Sequence, residues 1–323
     1  MADDPALLAT DFGQSLKERM DAGDPAGAWK IWSDSKATGN DPLADYPDIY
    51  RTAWSRITQA AEDHNQPGQF TAFIGFEWTS NPGKNNLHRN VIFRGGKDNA
   101  DTIIPFSNFD SFDPEDLWAW MQRYEDNTQD RLLAIPHNGN LSNGMMFAPV
   151  DFGGQPLTRD YAERRMRFDI LQEVMQTKGN SETHPTLSPN DDFADFGIAG
   201  WEYGNLTLED EPETPEMRPT GYLRGGLLRG LELEESMGAN PFKFGMIGGS
   251  DVHNSLSSFE EDNFFGKHII QEPSPERWDH VSKEGFGLTR YTWHYLGAGI
   301  SHWGGDGQDG DNPPQLIIEV GPA

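Results

Sequence analysis

The sequence predicts an α/β domain, and three observations carry that prediction. Apolar runs of strand length alternate with segments of helical periodicity between residues 46 and about 285. Several of these runs end abruptly in a carboxylate or an imidazole. In the most marked case, Phe242-Lys243-Phe244-Gly245-Met246-Ile247 leads into Gly248-Gly249-Ser250 and then Asp251-Val252-His253. Catalytic and metal-binding residues of α/β proteins gather outside the carboxyl ends of strands. If the chain stays extended past Ser250, Asp251 and His253 project to the same side. Such a pair offers one hard oxygen and one borderline nitrogen, a mix suited to Zn, Mn or Fe. The alternative is a plain turn, with Asp251 as a cap and His253 in solvent.

The elements follow in order. Residues 1–45 are polar and interrupted by Gly23, Gly39 and prolines, which predicts a mobile or partly helical segment. Short helices are expected near residues 15–20 and 26–33. Ile49, Ala53, Trp54, Ile57, Ala60 and Ala61 recur at helical spacing, so an amphipathic helix is expected from Asp48 to about His64. Asn65-Gln66-Pro67-Gly68 stops it. Phe70 to Phe76 reads as a buried strand that delivers Glu77 at its end. His88 to Arg94 reads as a second strand, and a hairpin between the two would bring His88 near Glu77. Asp113-Pro114-Glu115-Asp116 is a helix start, with a capping side chain, proline at the first helical position and acids at the positive helix end. Arg131 to Pro136 is again a strand, and His137 follows it. A short helix at about Tyr161–Arg167 leads to a strand over Asp169–Gln176. The loop Thr177-Lys178-Gly179-Asn180-Ser181-Glu182-Thr183-His184-Pro185 then concentrates a cation, hydroxyls, a carboxylate and an imidazole. Solvated loops share that composition. A helix from Thr220 to about Met237 feeds the strand that ends at Asp251.

Beyond about Gly285 the strand–helix rhythm is lost, and 286–323 is expected to be an irregular acidic tail. Gly304-Gly305-Asp306-Gly307-Gln308-Asp309 fits one calcium-binding nonapeptide repeat, but that architecture needs several stacked copies.

The whole chain of 323 residues can bury a sizeable core, as one large domain or two ordinary ones. Its 52 acidic against 25 basic residues give a net charge of −27, which repels nucleic acid and anionic membranes. A small anionic substrate is still compatible, because a bound metal reverses the sign locally. Cysteine is absent, which excludes disulfides, thiol nucleophiles and Cys-ligated zinc. The acidic start Met1-Ala2-Asp3-Asp4-Pro5 is unlike a signal peptide, and no apolar run is long enough to cross a bilayer. The chain as written is expected to be cytoplasmic, or periplasmic if an upstream leader is missing.

The strand-end residues Glu77, His137, Asp251 and His253, with His88 approaching from the start of its own strand, form one candidate constellation. Three histidines and two carboxylates suit a multinuclear metal centre acting on a phosphoryl group. No Ser-His-acid arrangement is apparent. Arg89, Lys178 and Lys267 are candidates to hold phosphate oxygens, and His184 to line the substrate site.

The same residues carry a family resemblance. Gly75-Phe76-Glu77-Trp78-Thr79, Leu87-His88-Arg89-Asn90, Ile135-Pro136-His137-Asn138 and Gly249-Ser250-Asp251-Val252-His253 resemble the later motifs of the PHP superfamily, the polymerase-and-histidinol-phosphatase type phosphoesterases. More closely, Lys178 to Pro185, Asn240 to Gly245 and Asn263-Phe264-Phe265-Gly266-Lys267-His268 resemble a large bacterial PHP-like family of unknown function, number thirty-six-oh-four. The resemblance spans about Phe70 to Trp278. It implies a distorted (β/α)7 barrel with two or three divalent metal ions (Mn, Zn or Fe) that hydrolyses phosphate esters. Glu77 would bridge metals, and His88, His137, Asp251 and His253 would be ligands, with metal-bound hydroxide as nucleophile. The chain departs from the pattern in lacking the opening His-x-His strand and the following Asp-His motif. The only histidine before Glu77 is His64, within Glu62-Asp63-His64 on a predicted helix. The expectation is therefore a barrel incomplete at its N-terminal strands, the later part of a longer protein.

Two other readings are carried forward. The first is a non-catalytic remnant that binds metal or a partner through an incomplete barrel, with homodimerisation through exposed sheet edges. The second is a carbohydrate-active hydrolase using Glu77, Glu202 and the tryptophans.

Overall fold

The computed structural model describes residues 4–176, 178–198, 213–251 and 253, with four short strands between 295 and 317. Lys267, Glu202 and the segment 259–268 lie outside the described residues. Helices and strands are mixed. Among the described residues the strands close no barrel, and no helix is long and apolar enough to cross a membrane.

Helix covers more of residues 1–45 than expected, as α1 (Pro5–Leu8), α2 (Asp11–Asp21) and α3 (Pro25–Thr38). The local reason lies in the caps. Asp4 accepts from the Ala6 N–H and Thr10 from the Gly13 N–H, satisfying donors that a helix start leaves open. The long amphipathic helix α4 (Pro47–His64) follows. It turns Trp54 into the core, where the indole N–H donates to the Ala100 carbonyl at 2.8 Å. Thr58 donates to Asp101 at 2.6 Å, tying α4 to the short helix α5 (Lys97–Ala100).

The central sheet is an antiparallel meander of β1 (Gly75–Trp78), β2 (Arg89–Phe93) and β3 (Leu132–Pro136). The link between β1 and β2 is too short for the crossover a parallel pair requires, so a hairpin forms. The strand expected from Phe70 begins only at Gly75. Before it the chain closes a turn through a Gln66–Phe70 bridge, leaving Phe70 and Phe73 exposed.

Register decides which side chains share a face. Trp78 lies opposite Arg89, and Arg89 opposite Pro136. Trp78, Val91, Phe93, Leu132 and Ala134 therefore form one face. It packs on Trp54 of α4 and on Leu117, Trp118, Met121 and Tyr124 of α6 (Pro114–Thr128), with Phe168 of α7 (Arg159–Phe168). The alternate residues, Glu77 and His88 among them, face the other way. Helix α6 starts where the sequence predicts, with the Asp113 carboxylate accepting from the Glu115 N–H at 2.8 Å. Asp113→Ala is expected to cost about 1 kcal/mol, read as a lower urea midpoint at unchanged slope.

Beyond β3 come β4 (Leu171–Glu173) and a small hairpin of β5 (Met175–Gln176) and β6 (Gly179–Asn180). Gln172 of β4 donates to the Pro136 carbonyl at 3.0 Å, holding β4 against the end of β3. Helices α8 (Arg218–Gly221) and α9 (Leu223–Met237) lead to β7 (Gly245–Ile247), which pairs in parallel with β4. A second core of Leu87, Met146, Phe147, Leu223 and Phe242 lies under this half. The run from Phe242 is buried only at its start. Phe242 seats on Phe147, whereas β7 itself is exposed, with Met246 and Ile247 on the surface. The C-terminal segment, expected to be irregular, carries two antiparallel ladders. They pair β8 (Tyr295–Leu296) with β9 (Gly299–Ile300), and β10 (His302–Gly304) with β11 (Gln315–Ile317).

Candidate metal centre

Glu77, His88 and His137 meet on the sheet face that turns away from the main core. Extending the ladder by one residue beyond Arg89 and Pro136 sets His88 beside His137, and the His137 N–H donates to the His88 carbonyl at 3.3 Å. Their rings stand edge to face with centroids 5.5 Å apart. Glu77 Oε1 lies 2.7 Å from His88 Nδ1 and 3.3 Å from His137 Nε2. One potential ligand atom from each of the three lies within 4.8 Å of the others. His253 completes the group from far along the chain, with Nε2 3.2 Å from Glu77 Oε2.

Each imidazole turns its other ring nitrogen to an oxygen. His88 Nε2 lies 2.7 Å from the Asn81 amide oxygen, and His253 Nδ1 lies 2.7 Å from the Asp251 carbonyl. His137 Nδ1 has a longer contact, 3.5 Å, with the Ile135 carbonyl. These oxygens can only accept, so the outer nitrogens donate to them and the inner ones face Glu77, donating to it from a protonated ring or giving a lone pair to a bound cation from a neutral one. Three imidazole nitrogens therefore converge on one carboxylate, and a nitrogen-rich set with one carboxylate suits a divalent transition metal. The donor set fits such an ion.

Asp251 and His253 arrive by a route other than the one expected. The chain does not stay extended, because Asp251 adopts a left-handed conformation with φ 58°. The turn separates the two side chains. Asp251 bonds the Lys178 ammonium, while His253 swings to Glu77, its Nδ1 still 3.5 Å from Asp251 Oδ1.

The electrostatics of the site are mixed. Burial opposes ionisation of Glu77, but hydrogen bonds from His137, His253 and His88 outweigh it and hold the carboxyl well below its ordinary range. Glu173, at the end of β4, is pushed up by burial, against the pull of His137 and Lys178. Burial brings the Lys178 amine down to about 8, with Glu77 and Glu173 opposing that shift. Glu173 was not singled out from the sequence, although a carboxylate closing a strand is the signal that marked Glu77. The Asn138 backbone N–H and the Gln176 side chain work against that upward shift, and Glu173 Oε1 is buried without a hydrogen-bond partner. Gly249 passes so close that a Cβ there would stand 2.9 Å from Glu173 Oε2. Asn81 was also missed. It lies in a turn sequence whose composition reads only as a connector.

Of the residues expected to hold substrate, Lys178 reaches the site. Arg89 does not. One residue from His88 on the same strand, it faces the opposite side, where its guanidinium pairs with Asp169 at 3.1 Å and also donates to the Leu87 carbonyl. Trp78 and Trp118 flank it, so its burial is structural. His184 is buried, with Nδ1 2.8 Å from the Thr186 hydroxyl and its ring against Tyr222. Burial and the nearby Arg218 lower its pKa, and it is not part of the Glu77 cluster. Trp54, Trp78 and Trp118 lie in the core and offer no platform to a sugar.

The profile of a family described as "Protein of unknown function (DUF3604)" matches residues 3–304. The chain belongs to the DUF3604 family. The match is wider than the motif resemblance over Phe70 to Trp278, and it takes in the N-terminal helices. Neither curated proteins nor solved structures gave a match. In this DUF3604 chain, the feature that bears on function is the geometry around Glu77.

Proposed function

We propose that this DUF3604 protein is a metal-dependent hydrolase of phosphate esters, with Glu77, His88, His137 and His253 holding the metal. The single observation behind this reading is the convergence of three imidazole nitrogens on one carboxylate, at 2.7, 3.3 and 3.2 Å. Kinship with the PHP superfamily is part of the proposal. Its support is that motif residues from four separate stretches of chain come to one place. When bound, a divalent ion polarises a phosphoryl oxygen and makes water acidic enough to attack at neutral pH.

The chain's own residues supply the rest. His88 and His137 are buried, whereas His253 and Glu77 are more open, so a substrate reaches the centre from their side. Asn81 holds the His88 ring and its tautomer. Glu173 and Lys178 lie near this group and set the charge around it, the lysine attracted by both Glu77 and Glu173.

The test is elemental analysis of the purified chain, followed by aryl phosphate mono- and diesters as substrates. Bound Mn, Fe or Zn and chelator-sensitive turnover are expected. Well-folded protein that takes up no metal would sink the proposal. Asn81→Ala should weaken metal binding about 10–100-fold, the usual effect of losing a contact behind a ligand, as measured by competition with a fluorescent chelator.

One observation favours a second reading, that of a non-catalytic partner-binding domain. Met246 and Ile247 are exposed on β7, and among the described residues β7 has a strand neighbour on one side only. A dimer on size-exclusion chromatography, together with no turnover of any ester, would support that version.

A further inference from the structure

Lys178 sits in the hairpin between β5 and β6 and is only 7% exposed. Its backbone is clamped on both sides: its N–H donates to Gln176 at 2.8 Å and its carbonyl accepts from Asn140 at 2.9 Å. The side chain is thereby aimed at the site. The ammonium is bonded to the Asp251 carboxylate, and the carboxylates of Glu77 and Glu173 lie close enough to attract it. Glu173 brings a buried oxygen with no hydrogen-bond partner. The lysine is therefore bonded to one of three carboxylates from distant points of the chain and attracted by the other two, beside the imidazole cluster.

We propose that the Lys178 ammonium occupies the place of a second metal ion, so that the centre takes a single divalent cation. This rests on the metal-centre reading above and deepens it. Charge balance supports it. The ammonium and one divalent ion together neutralise Glu77, Glu173 and Asp251, the histidines being neutral as ligands. A second divalent ion beside the ammonium would leave two uncompensated positive charges in a largely buried site, which is costly. Geometry points the same way. Asp251 Oδ2 is taken by the Lys178 ammonium, which stands where a second ion would have to sit to use that oxygen. The left-handed turn at Asp251 is what directs it to the lysine.

The test is metal stoichiometry on the full chain, stripped with chelator and titrated with Zn2+ and separately with Mn2+. The wild type is expected to bind one equivalent. Lys178→Met keeps most of the length of the side chain but removes the charge, and should bind a second equivalent through the released Asp251 and Glu173. Two or more equivalents in the wild type, or one alone in a well-folded Lys178→Met, would overturn the inference while leaving the metal centre standing. No binding in the wild type would overturn both. If the variant does not fold, electron paramagnetic resonance of the Mn2+-loaded wild type decides. An uncoupled spectrum supports a single ion beside the ammonium, and an exchange-coupled one refutes it.

Discussion

Glu77→Ala is expected to lower metal affinity on the order of 100-fold or more. Loss of a contact behind a ligand already costs about 10–100-fold, and Glu77 touches all three imidazoles. Turnover of phosphate esters should fall in parallel. The cleanest readout is thermal. A ligand at about 100 times its Kd stabilises the folded state by about 2.7 kcal/mol, so added Zn2+ should raise the wild-type unfolding temperature and leave that of Glu77→Ala almost unchanged. Equal shifts in both proteins would place the metal elsewhere. The alanine variant should still fold without metal, because the main core lies on the opposite face of the sheet.

Arg89→Ala is expected to destabilise the fold by about 3 kcal/mol, the low end of the usual cost of breaking a buried ion pair. Asp169 would keep the Trp118 indole N–H at 3.0 Å and the Arg165 guanidinium at 3.7 Å, but would lose the closer guanidinium at 3.1 Å. Chemical denaturation should show a sharply lowered midpoint. The result distinguishes two roles for the residue. A substrate-binding arginine would raise KM at unchanged stability, and that outcome would refute the burial account. Asp169→Asn, which retains an acceptor for Trp118, should be milder than Asp169→Ala.

The contrast between His88 and Arg89 shows how far local pattern reaches. Both belong to one strand-like run, and both types suit a phosphoryl site. The antiparallel registers of β1, β2 and β3 then send alternate residues to opposite faces, one to the ligand cluster and the other into a tryptophan-lined core. A hairpin between adjacent runs was readable, because its link is short, and with it the approach of His88 to Glu77. The Asp251–Lys178 pair was not. It depends on a left-handed residue after two glycines, where strand parity no longer applies. Glu173 was not legible because the strand expected over Asp169–Gln176 puts it inside the run, whereas β4 ends at Glu173.

By itself the sequence determined a helix from about Asp48 and a helix start at Asp113-Pro114, the strand–helix alternation and the residue types able to bind a metal. Capping, hydrophobic period and ligand chemistry act over a few residues and can be read in order. Only the tertiary structure decided which of these residues meet. Glu77 and His253 are separated by 176 positions, and Lys178 and Asp251 by 73. What brings each pair together is the packing of distant strands on shared cores, a property of the whole chain and not of either residue's neighbours.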